Sequence, residues 1–292
     1  MTNRREFIQI AGAGLLTTAV PDLLKSTMQS DKHHIAVQLY TIREAIEKDF
    51  KGSLKRLADL GFKNVETAFW PKSISIDTAA GTLKDLGLNV ISCHVDKPTA
   101  ENISELVKTA QAYGCKNLIW HGWPEDKRYS SLAGTKELIR IYNESNKLAK
   151  EHGLNFGLHN HWWEYRNHVD GQLVYEVLNA ELDSDIFFET DVYWVKVAGQ
   201  DPANILRKLK NRIRFIHIKD GPAVFNEKLI SDQPDPMSPV GKGTLDIPAI
   251  VNACSDNVRY FVIELDKAAI DPFDALKQSR DYLSKFKSVS LS

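Results

Sequence analysis

The sequence predicts an α/β protein of the (β/α)8 TIM barrel class, built as a single domain. Three observations predict it. Eight β-branched or aromatic runs start near Ile35, Lys63, Leu88, Lys116, Asn155, Asp185, Ile213 and Val258, with helical patterns filling the intervals. A unit consisting of a helix end, a glycine and then a strand recurs at Gly61, Gly87, Gly114 and Gly153. No G-x-G-x-x-G follows any strand, which counts against a doubly wound open sheet.

Taken in order, the chain opens with a segment distinct from the barrel. Arg4 and Arg5 stand just before Ile8 to Val20, a mostly apolar run. At about 1.5 Å per residue this run is too short to cross a hydrocarbon core of about 30 Å, so no stable membrane span is expected. A basic pair before a short apolar run is the pattern of a twin-arginine export signal. Residues 1–30 are therefore expected to be a signal segment and linker, residues 31–292 the barrel domain, and the destination the periplasm.

Strand one is Ile35 to Tyr40. Each repeat glycine suits the left-handed residue that ends a helix, and the apolar run after it suits a buried parallel strand. Helices are expected over Phe50 to Leu60, Asn102 to Tyr113, Gly134 to His152, Asp201 to Lys210 and Pro272 to Lys285, several behind Asp, Ser or Thr caps. The connection from Gly221 to Leu245 is long and rich in proline and glycine, the composition of a functional lid.

Composition limits the partners. The 292 residues are 43% hydrophobic and 26% charged with net charge −1, so no basic field is available for nucleic acid. Cys93, Cys115 and Cys254 show no C-x-x-C spacing and read as small buried apolar residues.

Chemistry concentrates at the strand ends. His159 and His161 close strand five two residues apart, which places both imidazoles on one face. Asp191, His217 and Glu264 close the next three strands. In a parallel barrel these ends converge on one pocket, and a His/Asp/Glu set without thiolates suits one divalent ion: Mn2+, Mg2+, Co2+, Fe2+ or Zn2+. The same rim carries Gln38, Glu66, His94, His121, Trp123, Trp162, Glu164, Trp194 and Lys219. Indoles beside histidines suit the apolar faces and hydroxyls of a sugar.

Over about Ile35 to Lys285 the chain resembles the xylose-isomerase-like TIM barrels of the sugar phosphate isomerase/epimerase group, which includes ketose 3-epimerases, inosose dehydratases, hydroxypyruvate isomerases and endonuclease IV. The resemblance is carried by Val37-Gln38-Leu39-Tyr40-Thr41-Ile42-Arg43, Leu158-His159-Asn160-His161, His217-Ile218-Lys219-Asp220 and Val262-Ile263-Glu264. It implies metal ligation by His159, Asp191, His217 and Glu264. His159 stands where the epimerases have a glutamate, and His161 competes with it for the ligand position. The departure leaves the second proton-transfer group open to His161 or Glu164, with Glu264 as the other and Lys219 as an electrophile. Gln38, Glu66, His94, His121, Trp123, Trp162 and Trp194 are expected to face substrate.

The expected activity is metal-dependent sugar isomerisation or epimerisation, by proton abstraction next to a carbonyl through an enediolate. Cleavage of a keto-sugar or 3-keto-glycoside by β-elimination shares that intermediate and stands as the alternative. A sugar-binding barrel without turnover comes next, and phosphodiester hydrolysis like that of endonuclease IV last. The expected partner is a small sugar or keto-sugar.

Overall fold

A computed structural model describes residues 33–226 and 234–290. The Arg4–Arg5 segment and part of the expected lid lie outside those residues.

Eight parallel strands form the barrel: β1 His33–Gln38, β2 Asn64–Thr67, β3 Asn89–Val95, β4 Asn117–Trp120, β5 Asn155–His159, β6 Phe187–Asp191, β7 Ile213–Ile218 and β8 Tyr260–Ile263. Each pairs with the next, and β1 pairs back onto β8 with Val37 opposite Ile263, which closes the sheet. A short terminal strand, β9 Val289–Ser290, adds to the start of β1. The crossovers are α1 Phe50–Asp59, α2 Ile76–Asp85, α3 Ile103–Tyr113, α4 Leu132–Glu151, α5 Val174–Glu181, α6 Pro202–Leu209, α7 Ile247–Ala253 and α8 Pro272–Leu283. Among the described residues no helix is long and apolar enough to cross a membrane.

Local chemistry accounts for the boundaries. Asp49, Ser75, Ser131, Asp201, Asp246 and Asp271 each accept a backbone N–H at the start of α1, α2, α4, α6, α7 and α8, a cap that contributes about 1 kcal/mol apiece. Gly61, Gly87, Gly114 and Gly153 all adopt positive φ, as the repeat predicts. An asparagine follows each of these glycines by two or three residues. Asn89 donates to Asn64 and Asn155 to Asn117, so paired side-chain amides line the N-terminal ends of the strands.

The barrel interior is layered. Ala36, Ile91, Ile119, Phe187, Phe215 and Val262 form an apolar plug at the floor. Gly157 belongs to it as well: a Cβ there would lie 2.3 Å from the Phe187 ring, so the bare backbone of β5 is what admits that ring. One step of the strand period above the plug, polar groups take over: Phe187 gives way to Glu189 and Asp191, Phe215 to His217 and Lys219, Val262 to Glu264 and Asp266. Two register shifts adjust this layer. Val65 faces Val90 but Glu66 faces Ser92, and Phe188 faces Ile213 but Glu189 faces Phe215, so Ile91 and Arg214 are inserted residues. The bulge at Ile91 brings Ser92 onto the same interior face as Glu66.

The connection after β7 is anchored by Asp220. Its buried carboxylate accepts the backbone N–H groups of Gly221, Gly241, Gly243 and Leu245. Asp220 thus ties down both ends of the connection, of which 227–233 lie outside the described residues.

Candidate active site

At the C-terminal end of the strands, five carboxylates are buried together: Glu66, Glu189, Asp191, Glu264 and Asp266. Among the described residues only one side chain of fixed positive charge enters them. Lys219, fully buried, has its Nζ 2.9 Å from Asp191, 2.7 Å from Glu264 and 2.7 Å from Asp266. Burial alone would strip its proton, but the three carboxylates reverse that and hold its pKa well above the ordinary value. Lys219 remains an ammonium.

The imidazoles divide by their surroundings. His217 lies between acids, Nδ1 2.7 Å from Glu264 and Nε2 2.6 Å from Glu66, and despite burial the charges of Glu189, Glu264 and Glu66 raise its pKa well above normal. His94, 2.5 Å from Glu189, is raised in the same way by Glu66 and Glu189 against the effect of burial. His159 is pushed down to about 3 by burial and by the charge of His217. Burial and His159 lower His161 well below the ordinary value, and burial and His94 take His121 down to about 4. Glu264 would be raised by burial, but Lys219 and His217 hold it well below the carboxylate range. At neutral pH the site thus presents an ionised Glu264, an ammonium and three neutral imidazoles.

Two overlapping donor sets emerge. His94, His159, Glu189 and His217 place ligand atoms within 4.8 Å of one another, as do Asp191, His217 and Glu264, with His217 common to both. Glu189 Oε2 is the point on which three imidazoles converge: His94 at 2.5 Å, His217 at 3.1 Å and His159 at 3.2 Å. His159 Nδ1, Glu189 Oε1 and Asp191 Oδ2 are buried without a hydrogen bond. Asp191 Oδ2 is close to Lys219 Nζ, yet that contact lacks hydrogen-bond alignment. Orphaned donor atoms in a cluster with more buried acids than fixed cations fit a divalent ion, since burying that surplus uncompensated is costly.

The donor sets floor a cavity of about 280 Å³. His94, His121, Trp123, His159, His161, Lys219 and Glu264 line it, together with Tyr40, Ala68, Phe69 and Asp266. Both strand-five histidines therefore reach the cavity, as their spacing predicts. Gln38 and Glu66 do not: Glu66 accepts from Gln38 at 2.8 Å and from the Ser92 hydroxyl at 2.5 Å, and so held it supports His217. Trp194 is fully buried behind Lys219 and is absent from the wall, and Trp162 packs edge-on against Phe225 instead. Glu164 also departs from expectation. The strand period ends after β5, and the turn into Trp163–Arg166 carries Glu164 behind the strand, where it accepts the backbone N–H of His161 at 3.0 Å beside a cavity of about 30 Å³. Burial pushes its pKa to about 8.

Two further acids belong to the site: Glu189, which the sequence reading leaves without a place, and Asp266, which stands with Glu264 on the expected rim without an assigned role. Glu189 precedes Asp191 by two and shares its face, a signal hidden by the stronger one beside it. Asp266 bears the same relation to Glu264. It lines the cavity with Oδ2 unpartnered, and burial raises it to about 6 although Lys219 opposes the shift.

Comparison with known proteins agrees with this architecture. Residues 54–286 match the model of the xylose isomerase-like TIM barrel family. The chain belongs to that family. A curated relative, an inosose dehydratase of Clostridium beijerinckii, is 22% identical over 272 residues, covering 82% of this chain and 90% of its own. Among solved members of similar fold, a sugar phosphate isomerase/epimerase from Parabacteroides distasonis superposes with a TM-score of 0.71 at 23% identity, over 88% of this chain and 100% of that one. A structure of L-ribulose 3-epimerase gives 0.62 at 16% identity, over 86% and 93%. In the xylose isomerase-like barrel described here, the donor cluster occupies the end of the strands where barrel enzymes carry their sites.

Proposed function

We propose that the protein is a metal-dependent sugar isomerase or epimerase that moves a proton on the carbon next to a carbonyl. The observation that carries this reading is that one cavity wall presents an ionised carboxylate, an ammonium and neutral imidazoles directly above the donor cluster. A divalent ion held by Asp191, His217, Glu264 and His159, or by the overlapping set with His94 and Glu189, would supply Lewis-acid polarisation of the carbonyl.

The side chains divide the remaining work. Glu264, kept ionised by Lys219 and His217, takes the proton. Lys219 donates toward the oxygen on which charge develops, which favours the enediolate. Glu264 returning that proton to the adjacent carbon gives isomerisation, and His161, neutral on the same cavity wall, can give a proton to the opposite face as its other nitrogen accepts one from solvent, giving epimerisation. His121 and Trp123 hold the sugar's hydroxyls and apolar face.

Elimination is the second reading. Asp266 places an unpartnered carboxyl oxygen on the cavity wall, where it can hand a proton to a leaving group. The inosose dehydratase relative is consistent with that outcome. Keto-sugars and 3-keto-glycosides incubated with Mn2+ in deuterium oxide and followed by NMR test both. Deuterium enters substrate or product C–H, and Glu264→Gln lowers the exchange by at least the roughly 10²- to 10⁴-fold that a positioned base contributes. His161→Ala blocks epimer formation while metal stays bound and exchange at the substrate C–H continues. Turnover without any label in substrate or product sinks the reading.

A further inference from the structure

Resting on that reading, and on the carbonyl it requires, we infer that the substrate is an uncharged keto-glycoside whose apolar aglycone lies against Phe69 at the cavity mouth. Phe69 is at once a wall of the reacting cavity and 63% exposed, the most exposed large hydrophobic side chain among the described residues. It meets the His121 ring at 5.4 Å in a T-shaped arrangement, a contact that still leaves most of its surface exposed. The other two exposed large hydrophobics, Val224 and Ile270, also follow barrel strands, on the connections after β7 and β8. All of the exposed apolar bulk among the described residues therefore belongs to the face where substrate enters. Scattered placement would need no explanation, but confinement to that rim does.

The size and charge of the cavity agree. At about 280 Å³ it lies at the lower limit of the roughly 300–1,000 Å³ of ligand clefts, room for one sugar ring and little more. A larger substrate must extend out of it, and Phe69, on the wall and exposed, is placed to meet the part that does. Among the described residues the lining offers nothing to a phosphate. Its one fixed cation, Lys219, already contacts three carboxylates, and Glu264 and Asp266 stand beside it. Arg43, beside the lining residues Tyr40 and Asp266, donates to their backbone oxygens and covers the Tyr40 ring. An aromatic or alicyclic aglycone would instead find a ring face, the contact that aromatic side chains offer apolar groups.

Binding separates this inference from the catalytic reading, because it needs no turnover. Phenyl and methyl β-glycosides of glucose, galactose, mannose and xylose, with glucose 6-phosphate and galactose 6-phosphate, are titrated into the Mn2+-loaded protein by calorimetry. Phenyl glycosides of at least one sugar bind between about two- and ten-fold tighter than their methyl counterparts, as an added aromatic contact predicts. Phe69→Ala brings the two affinities together and Phe69→Trp keeps them apart. The phosphates bind more weakly than the glycosides. Equal phenyl and methyl affinities, absence of glycoside binding, or preference for a phosphate each overturn the inference, whatever the deuterium exchange shows. So does a dimer that dissociates in Phe69→Ala with no phenyl preference, which would make the rim a contact between copies.

Discussion

Glu164 shows how much one residue's role depends on what surrounds it. Its carboxyl is buried among Tyr129, Tyr165 and Tyr175, and burial raises its pKa from 4.5 to about 8. A carboxyl raised in this way keeps its proton in the folded chain while the unfolded chain releases it. Its contribution to stability is therefore complete below about pH 4.5 and declines until pH 8, by about 1.4 kcal/mol for each unit of difference. Glu164→Gln keeps an acceptor for the His161 N–H and removes the titration. The variant is expected to lose less stability than wild type between pH 5 and pH 8, measured by urea unfolding at each pH. Parallel pH profiles for the two proteins would show that Glu164 is ionised in the fold.

At the scale of elements, the plug decides where the polar layer begins. Phe187 on β6 fills the space over Gly157 on β5, and the next residue on that face of β6 is Glu189. Gly157→Ala puts a methyl into that ring, and overpacking of this kind costs about 1–3 kcal/mol. Gly157→Ala with Phe187→Leu should recover much of the loss, because the shortened side chain makes room for the methyl. Thermal unfolding of the single and double variants measures it, and additive losses would mean the two strands do not interlock through this pair. Asp220 works at the same scale, joining four backbone N–H groups of one long connection to the end of β7.

For the whole molecule, metal and fold are linked. An ion that binds the native donor cluster and not the unfolded chain adds about 2.7 kcal/mol at a hundred times its dissociation constant. At about 2–4 °C per kcal/mol for a domain of this size, saturating Mn2+ should raise the midpoint by roughly 5–10 °C over chelated protein. Glu189→Gln and Asp191→Ala shrink that shift. Identical midpoints with Mn2+ and with chelator would remove the proposed centre. Export is the other whole-chain proposal. Arg4→Lys with Arg5→Lys is expected to retain the protein in the cytoplasm, scored by cell fractionation, and a wild-type protein found only in the cytoplasm decides against it.

The sequence by itself determined the barrel, its strand order and the end at which the chemistry lies. These follow from local signals: a glycine that must turn left-handed, capping Asp and Ser residues, and an apolar run that ends in a ligand-type side chain. Period two placed His159 beside His161 and would have placed Glu189 beside Asp191 and Asp266 beside Glu264. Which of these groups touch is a different matter, decided by closure of the sheet. Bulges at Ile91 and Arg214 set which layers of neighbouring strands meet, and they bring Glu66, His94 and Glu189 to His217 from strands far apart in the chain. The same closure buries Trp194, and the turn after β5 sends Glu164 behind the strand. Periodicity says which face a side chain takes. Only the stagger of eight strands says how high on that face it stands and what lies across the barrel from it.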